Sequence, residues 1–176
     1  KTELLDDFYR VISKAWRDLG TPTHSKKFYE NILREAEKSE KYNAELILIY
    51  VDKKPASAAI LIYDDFSIHH PYAATLKNYN SISLNNALYW EIISFATEKK
   101  IQFFDLGRSK KNQGTSGYKK SWGAEEIQLY YYYLNKSKHQ NEEESGFVKL
   151  MIEIWKKLPL PIANFLGPKI ICNVLK

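Results

Sequence analysis

Apolar residues recur every three to four positions at the start of the chain. Leu4, Phe8, Val11, Ile12, Ala15 and Leu19 share one face and predict a helix over 1–19. Thr2 is placed to cap it, Glu3, Asp6 and Asp7 lie near the positive end of its dipole, and Gly20 and Pro22 stop it. A second helix is predicted over 25–38, capped by Ser25, with a buried stripe of Phe28, Ile32, Leu33 and Ala36. The pattern then changes. AELILIYV (44–51), turn residues 52–55 and ASAAILIY (56–63) predict an antiparallel hairpin. The small side chains Ala56, Ser57, Ala58 and Ala59 leave room for close packing. A third strand is predicted over 66–70, then a polar and aromatic connection over 71–80.

The stretch 84–133 organises the rest. LNNALYWEIISFATEKK predicts a helix over 84–99 that is apolar on most sides and so covered on more than one face. Glu91 lies in its middle, either as an ion-pair partner or as a base. IQFFDL (101–106) and IQLYYYYL (127–134) read as strands. Between them, 107–120 holds Arg108, Lys110, Lys111, Lys119 and Lys120 with no acid, together with Gly107, Gly114 and Gly117. Glycines admit close backbone approach, and cations beside free N–H groups suit a phosphate or carboxylate. The alternative is a solvated loop and the helix after it. That short helix is expected to begin near Tyr118, with Gly117 permitting the turn and Trp122 as its anchor. Beyond a charged loop over 136–145, Phe147, Leu150, Met151, Ile154, Trp155 and Leu158 form one face of a helix. A short last helix is predicted from Pro161 through Leu166, ended by Gly167 and Pro168.

Strands in a run, interrupted by one apolar helix, predict an α+β fold with a mixed, mostly antiparallel sheet flanked by helices. Composition adds limits. A net charge of +5 inclines the chain toward anionic partners, and an aromatic content of 14% suits grooves and interfaces. The single cysteine, Cys172, excludes an internal disulfide and a cysteine metal site. His69 and His70 are adjacent on a strand and point to opposite faces, so they make a poor metal pair, and no metal is expected. No apolar run reaches the roughly 20 residues that span a bilayer. The chain opens on Lys1 rather than Met, which suggests a piece of a longer protein.

NNALYWEIISFATEKKIQFFDLGRS (85–109), followed by GTSGYKKSWGAEEIQLYYYYL (114–134), resembles the C-terminal half of FemAB-like proteins, members of the GNAT superfamily. The likeness is greatest to the branch associated with exosortase (PEP-CTERM) sorting and exopolysaccharide gene clusters. RDLGTPTHSKKFYENIL (17–33) and WKKLPLPIANFLGPKI (155–170) are similar to segments flanking that domain. The resemblance implies a GNAT-like fold over 1–176, as the second half of a tandem enzyme. It implies acyl or aminoacyl transfer to an amine in cell-envelope or exopolysaccharide assembly, with aminoacyl-tRNA or another activated acyl donor. It also implies an N-terminal GNAT-like domain of the same protein as partner.

In that family an aromatic-Lys-Lys element lies beside the donor; here it is Tyr118-Lys119-Lys120. Arg108, Tyr118 and Lys119 are therefore the candidate catalytic residues, with no general base assigned. Gly117, Lys119, Lys120, Lys110 and Lys111 are the donor or anion-binding candidates, and Glu91 and Asp105 are further candidates. No bound cofactor is expected. No Gln/Arg-x-x-Gly-x-Gly/Ala run follows the third strand, which argues against acetyl-CoA. Two non-catalytic alternatives remain. One is an anion- or RNA-binding module. The other is a membrane-surface module using the basic, apolar C-terminal segment. The expected location is cytoplasmic, with peripheral contact at the inner membrane face.

Overall fold

The structure, a computed structural model, describes residues 4–109, 114–130, 132 and 146–174. Thr2, Lys110, Lys111, Tyr131, 133–134 and the expected charged loop 136–145 lie outside the described residues.

Helix α1 (Leu5–Leu19) buries Phe8, Val11, Ile12 and Ala15, as its periodicity predicts, and Leu5 with them, whereas Leu4 and Leu19 of the predicted face are exposed at its two ends. Gly20 closes it at φ 83°, where an L side chain is strained. The Gly20 and Thr21 N–H groups donate to the Arg17 and Trp16 carbonyls at 2.9 Å, satisfying two terminal acceptors. In α2 (Lys26–Lys38), Ser25 Oγ accepts the Phe28 N–H at 3.2 Å, the expected N-cap. Tyr29, outside the predicted stripe, is fully buried, and its hydroxyl lies 3.0 Å from Thr23 Oγ1. Phe28 and Ile32 are only half-buried.

Strands β1 (Asn43–Val51), β2 (Lys54–Tyr63), β3 (Ser67–Thr75) and β4 (Phe103–Asp105) form one sheet in that order. The first two junctions are antiparallel and β3–β4 is parallel. Asp52 and Lys53, both at positive φ, make the β1–β2 turn, so β2 starts at Lys54. Pro55 sits beside the bulge at Ile49/Tyr50, where its missing N–H interrupts no regular ladder. β3 reaches Thr75, so residues 71–75 are strand and not connection. Tyr72, Ala73, Ala74 and Thr75 pair with Ile60, Ala59, Ala58 and Ser57 on β2, and Pro71 falls at the register shift between Ile60 and Ile62.

Both faces of the sheet are covered. Leu46, Ala58 and Ile60 pack with Phe8, Ile12, Tyr29 and Leu33 of the first two helices. Ala59, Leu61 and Ile68 pack with Leu88, Ile92 and Ala96 of α3 (Leu84–Glu98) on the other face. This explains the unbroken apolar run of β2 and its small residues, which admit a helix on each side. α3 is less enclosed than its composition predicts. Its buried stripe is Leu84, Leu88, Tyr89, Ile92 and Ala96, while Trp90 is 61% exposed. The fold is α+β, a mixed sheet flanked by helices.

Three expectations fail. Residues 127–130 and 132 have no strand partner, with Ile127 85% and Tyr132 89% exposed; the sheet order ends at β4, and strand propensity without cross-strand contacts leaves the segment outside it. The short helix α4 spans Gly114–Ser121, so Gly117 is inside it and Lys119 and Lys120 occupy its last turn, not its first. Gly123 provides the positive φ (81°) after it. Finally, α5 (Gly146–Lys157) is followed by α6 (Leu160–Val174), which continues through Gly167 and Pro168. A Cβ on Gly167 would lie 2.8 Å from the Thr23 carbonyl oxygen. The glycine is thus a close-contact point on the α1–α2 turn and not a terminator.

Candidate active site

The parallel ladder between β3 and β4 is short: Ser67↔Phe103, Ile68↔Phe104 and His69↔Asp105. Past the last pair β3 continues to Thr75, while the other chain turns away at Leu106-Gly107. Asp105 Oδ1 accepts the Gly107 N–H at 2.7 Å, and Gly107 adopts φ 71° to make the turn. The divergence opens a cleft of about 800 Å³ at the C-terminal end of β4. β3 contributes His69, His70, Pro71 and Ala73, α3 contributes Asn85 and Tyr89, and the post-β4 loop contributes Asp105 through Arg108. Lys119 of α4 completes the wall. Open sheets commonly bind ligands in such crevices beyond strand ends.

The floor is aromatic and uncharged. His70 Nε2 lies 3.3 Å from the Tyr89 hydroxyl, and the His70 ring is 5.2 Å from Phe104. Burial, with the neighbouring His69 and Lys119 charges, holds His70 down to about 4, so its ring is neutral at pH 7. Burial likewise pushes Tyr89 up to about 12, leaving a neutral phenol. Tyr118 meets Tyr89 edge-on at 5.1 Å, and Trp122 stacks on Tyr89 at 5.7 Å. The expected anchoring of α4 by Trp122 therefore runs through Tyr89, with Trp122 itself half-buried. The Tyr118 hydroxyl donates to Asn86 Oδ1 at 2.9 Å, which ties α4 to the first turn of α3.

The rim is cationic. Lys119 Nζ donates to the carbonyls of Gly107 and Arg108, and desolvation lowers its pKa from the usual lysine range. His69 Nδ1 lies 3.1 Å from the Asp105 carbonyl oxygen and 3.9 Å from its carboxylate.

Of the residues chosen from the sequence, Arg108, Lys119 and Asp105 line this cleft, and Tyr118 packs behind its floor. Gly117 and Lys120 do not line it; Lys120 pairs with Glu126 at 3.1 Å. Glu91 is exposed on α3 and is not a cleft residue. The expected phosphate cradle at a helix start beneath Lys119 fails, because both lysines sit at the carbonyl end of α4. His70, Tyr89 and Asn85 were missed. From sequence His69 and His70 suggest only a poor metal pair, and the ladder that stops at His69, one residue before His70, has no sequence signature. Among the described residues no group of three or more His, Cys, Asp or Glu could hold a metal ion. The arrangement is a wedge with a neutral floor, where His70 meets Tyr89, and with cations at its mouth.

Known proteins share this fold. A family model described as "Acetyltransferase (GNAT) domain" matches residues 1–120. No match is found among curated protein sequences. Among solved structures, a possible acetyltransferase from Clostridium difficile 630 is similar at TM-score 0.60 and 13% identity, over 77% of this chain and 93% of that one. AAC(6')-Iy, solved with the bisubstrate analog CoA-S-monomethyl-acetylneamine, gives TM-score 0.57 and 12% identity, over 77% and 93%. The aminoglycoside antibiotic 6'-N-acetyltransferase AAC(6')-IG from Acinetobacter haemolyticus gives 0.55 and 14%, over 78% and 95%. Identities this low speak for the fold, while the family model covers most of the sequence: the chain belongs to the acetyltransferase (GNAT) domain family.

Proposed function

We propose that this protein transfers an acyl or aminoacyl group from an activated donor in the β3–β4 wedge to an amine. The observation that carries the reading is the ladder's end at His69↔Asp105, which opens a cleft walled by Arg108 and Lys119. In the reaction the amine nitrogen attacks the donor carbonyl, the bond to the donor's leaving atom breaks with its electron pair on that atom, and the proton shed by the new ammonium passes to the leaving atom. Such chemistry needs the two reactants held together and a charge partner for the developing oxyanion. Arg108 supplies that charge at the cleft mouth, and Lys119 holds the loop that carries it. Tyr118 offers a hydroxyl beside the floor.

The resemblance in 85–134 favours aminoacyl-tRNA as donor and an amine-bearing envelope precursor as acceptor. It also favours an upstream GNAT-like domain that completes the acceptor side, and a cytoplasmic location against the inner membrane face. A second reading, acetyl-CoA, is supported by the CoA-bearing ligand of AAC(6')-Iy. Calorimetry separates them. The first reading expects saturable binding of aminoacyl-tRNA and no acetyl-CoA isotherm in the micromolar range, with turnover appearing when the upstream domain is added. A clear acetyl-CoA isotherm, with amide formation by these 176 residues alone, establishes the second.

A further inference from the structure

Acyl transfer leaves one role unfilled: a group that carries the proton from the new ammonium to the leaving atom. Such a carrier must reach the cleft, offer a free lone pair near pH 7 and be rigidly placed. The titratable side chains on the cleft wall are His69, His70, Tyr89, Asp105, Arg108 and Lys119. Most are unsuited. Arg108 is a permanent cation, and Lys119 gives its ammonium to two carbonyls. Tyr89 is a neutral phenol, pushed up to about 12, and burial holds His70 down to about 4, too weak a base to take a proton near pH 7. Asp105 has Oδ1 committed to the Gly107 N–H at 2.7 Å. His69 is left.

The surroundings of His69 prepare its ring for this task. Its backbone pairs with Ile62 on β2 and with Asp105 on β4, so a strand holds it on either side. Nδ1 lies 3.1 Å from the Asp105 carbonyl oxygen. A carbonyl oxygen only accepts, so the proton of the neutral ring stands on Nδ1 and the lone pair on Nε2. The Asp105 carboxylate, 3.9 Å from Nδ1, faces any positive charge the ring acquires. A Cβ added at Gly107 would meet Cε1 at 3.5 Å, so the post-β4 loop passes beside the ring. It does not cover it: 41% of the His69 side chain is exposed, open to a ligand or to water.

We propose that His69 is a catalytic residue of the transfer, its Nε2 taking the proton from the new ammonium and delivering it to the donor's leaving atom. The role rests on the acyl-transfer reading and deepens it. The ammonium N–H bond breaks as Nε2–H forms, and the electron pair stays on the nitrogen that becomes the amide. Nε2–H then breaks as the leaving atom, holding the electron pair of its former bond to carbon, gains the proton. The ring returns to its neutral form.

Two measurements test the role. Ring-nitrogen NMR spectra of the isotopically labelled chain need no donor. They should show neutral His69 with Nδ1 protonated and Nε2 bare; an Nε2–H tautomer would overturn the proposal and leave the acyl-transfer reading intact. Transfer is then followed with aminoacyl-tRNA, the upstream domain added, and with acetyl-CoA, using glycinamide and a lysyl peptide as acceptors. His69→Asn puts Nδ2 where Nδ1 stands, so it keeps a donor for the Asp105 carbonyl and removes Nε2. It should retain melting temperature and donor affinity while transfer falls by about a hundredfold or more. His69→Ala should lose transfer likewise, and free imidazole should restore at least about tenfold of it, which a merely structural role would not allow. An undiminished rate in His69→Asn, or a loss in His69→Ala that imidazole does not reverse, would remove His69 from the chemistry with the reading still standing. A wild type that binds neither donor and acylates neither amine overturns the reading, and this role with it.

Discussion

Lys119 Nζ lies 2.9 Å from the carbonyl oxygen of Gly107 and 3.0 Å from that of Arg108, so one ammonium of α4 pins the loop that forms the cleft mouth. Charge-assisted bonds of this kind contribute about 1.5–3 kcal/mol when both groups leave water, and less at a partly exposed site. Lys119→Met should lower the melting temperature by a few degrees and weaken donor binding together. Lys120→Ala removes only the exposed pair with Glu126 and should leave stability within about 0.5 kcal/mol. Thermal melts and donor titrations on the two variants check the contrast; equal behaviour would remove Lys119 as the fastener.

Tyr118 and Tyr89 separate chemistry from packing. Tyr118→Phe keeps the edge-on contact and loses the bond to Asn86, so stability should change by less than about 1 kcal/mol. Transfer should fall at least about tenfold if the hydroxyl moves a proton or orients the donor. Tyr89→Ala removes the ring on which Trp122 and His70 rest and should cost about 3 kcal/mol or more. Denaturant midpoints alongside initial rates distinguish the two effects.

Acid should destabilise the fold through His70. Its ordinary pKa is 6.5 and burial holds it at about 4, so between these values the unfolded chain binds a proton that the folded chain refuses. Stability is therefore flat above about pH 6.5 and falls as pH drops toward 4, by on the order of 3 kcal/mol at most. His24, stacked on Phe28 at 3.9 Å and also lowered by burial, acts in the same direction. His70→Gln should flatten most of the slope, leaving the His24 share. A wild-type slope retained in His70→Gln would locate the titration elsewhere.

The helical layer can be tested at Gly167. Gly167→Ala places a Cβ 2.8 Å from the Thr23 carbonyl oxygen and 3.1 Å from its nitrogen, and overpacking of this order costs about 1–3 kcal/mol. Its effect on melting temperature should exceed that of Gly146→Ala, whose Cβ meets nothing within 4 Å.

Much of the fold was legible because periodicity reports burial. The α1 stripe, the Ser25 cap, the β1–β2 hairpin and the helix-then-strand order around Asp105 all follow from local rules. What could not be read depended on partners distant in sequence. Strand propensity at Ile127 and Leu129 could not say whether the segment would pair with another strand, nor Pro168 that α6 would continue against Thr23. The basic loop did mark the cleft mouth at Arg108 and Lys119. The floor made by His70 and Tyr89 exists only because a ladder stops at His69↔Asp105, and that is a property of two strands together.

The central claim is that an acyl donor occupies the wedge, and Ala73 on its β3 wall is the place to test it. Donor titrations, with aminoacyl-tRNA and acetyl-CoA in parallel, should be run on wild type and Ala73→Trp with melting temperatures measured beside them. The account predicts saturable binding of one donor by wild type and at least about tenfold weaker binding by a folded Ala73→Trp variant, because the indole fills the cleft. Equal affinity in the two proteins, or no binding of either donor by wild type, would contradict it.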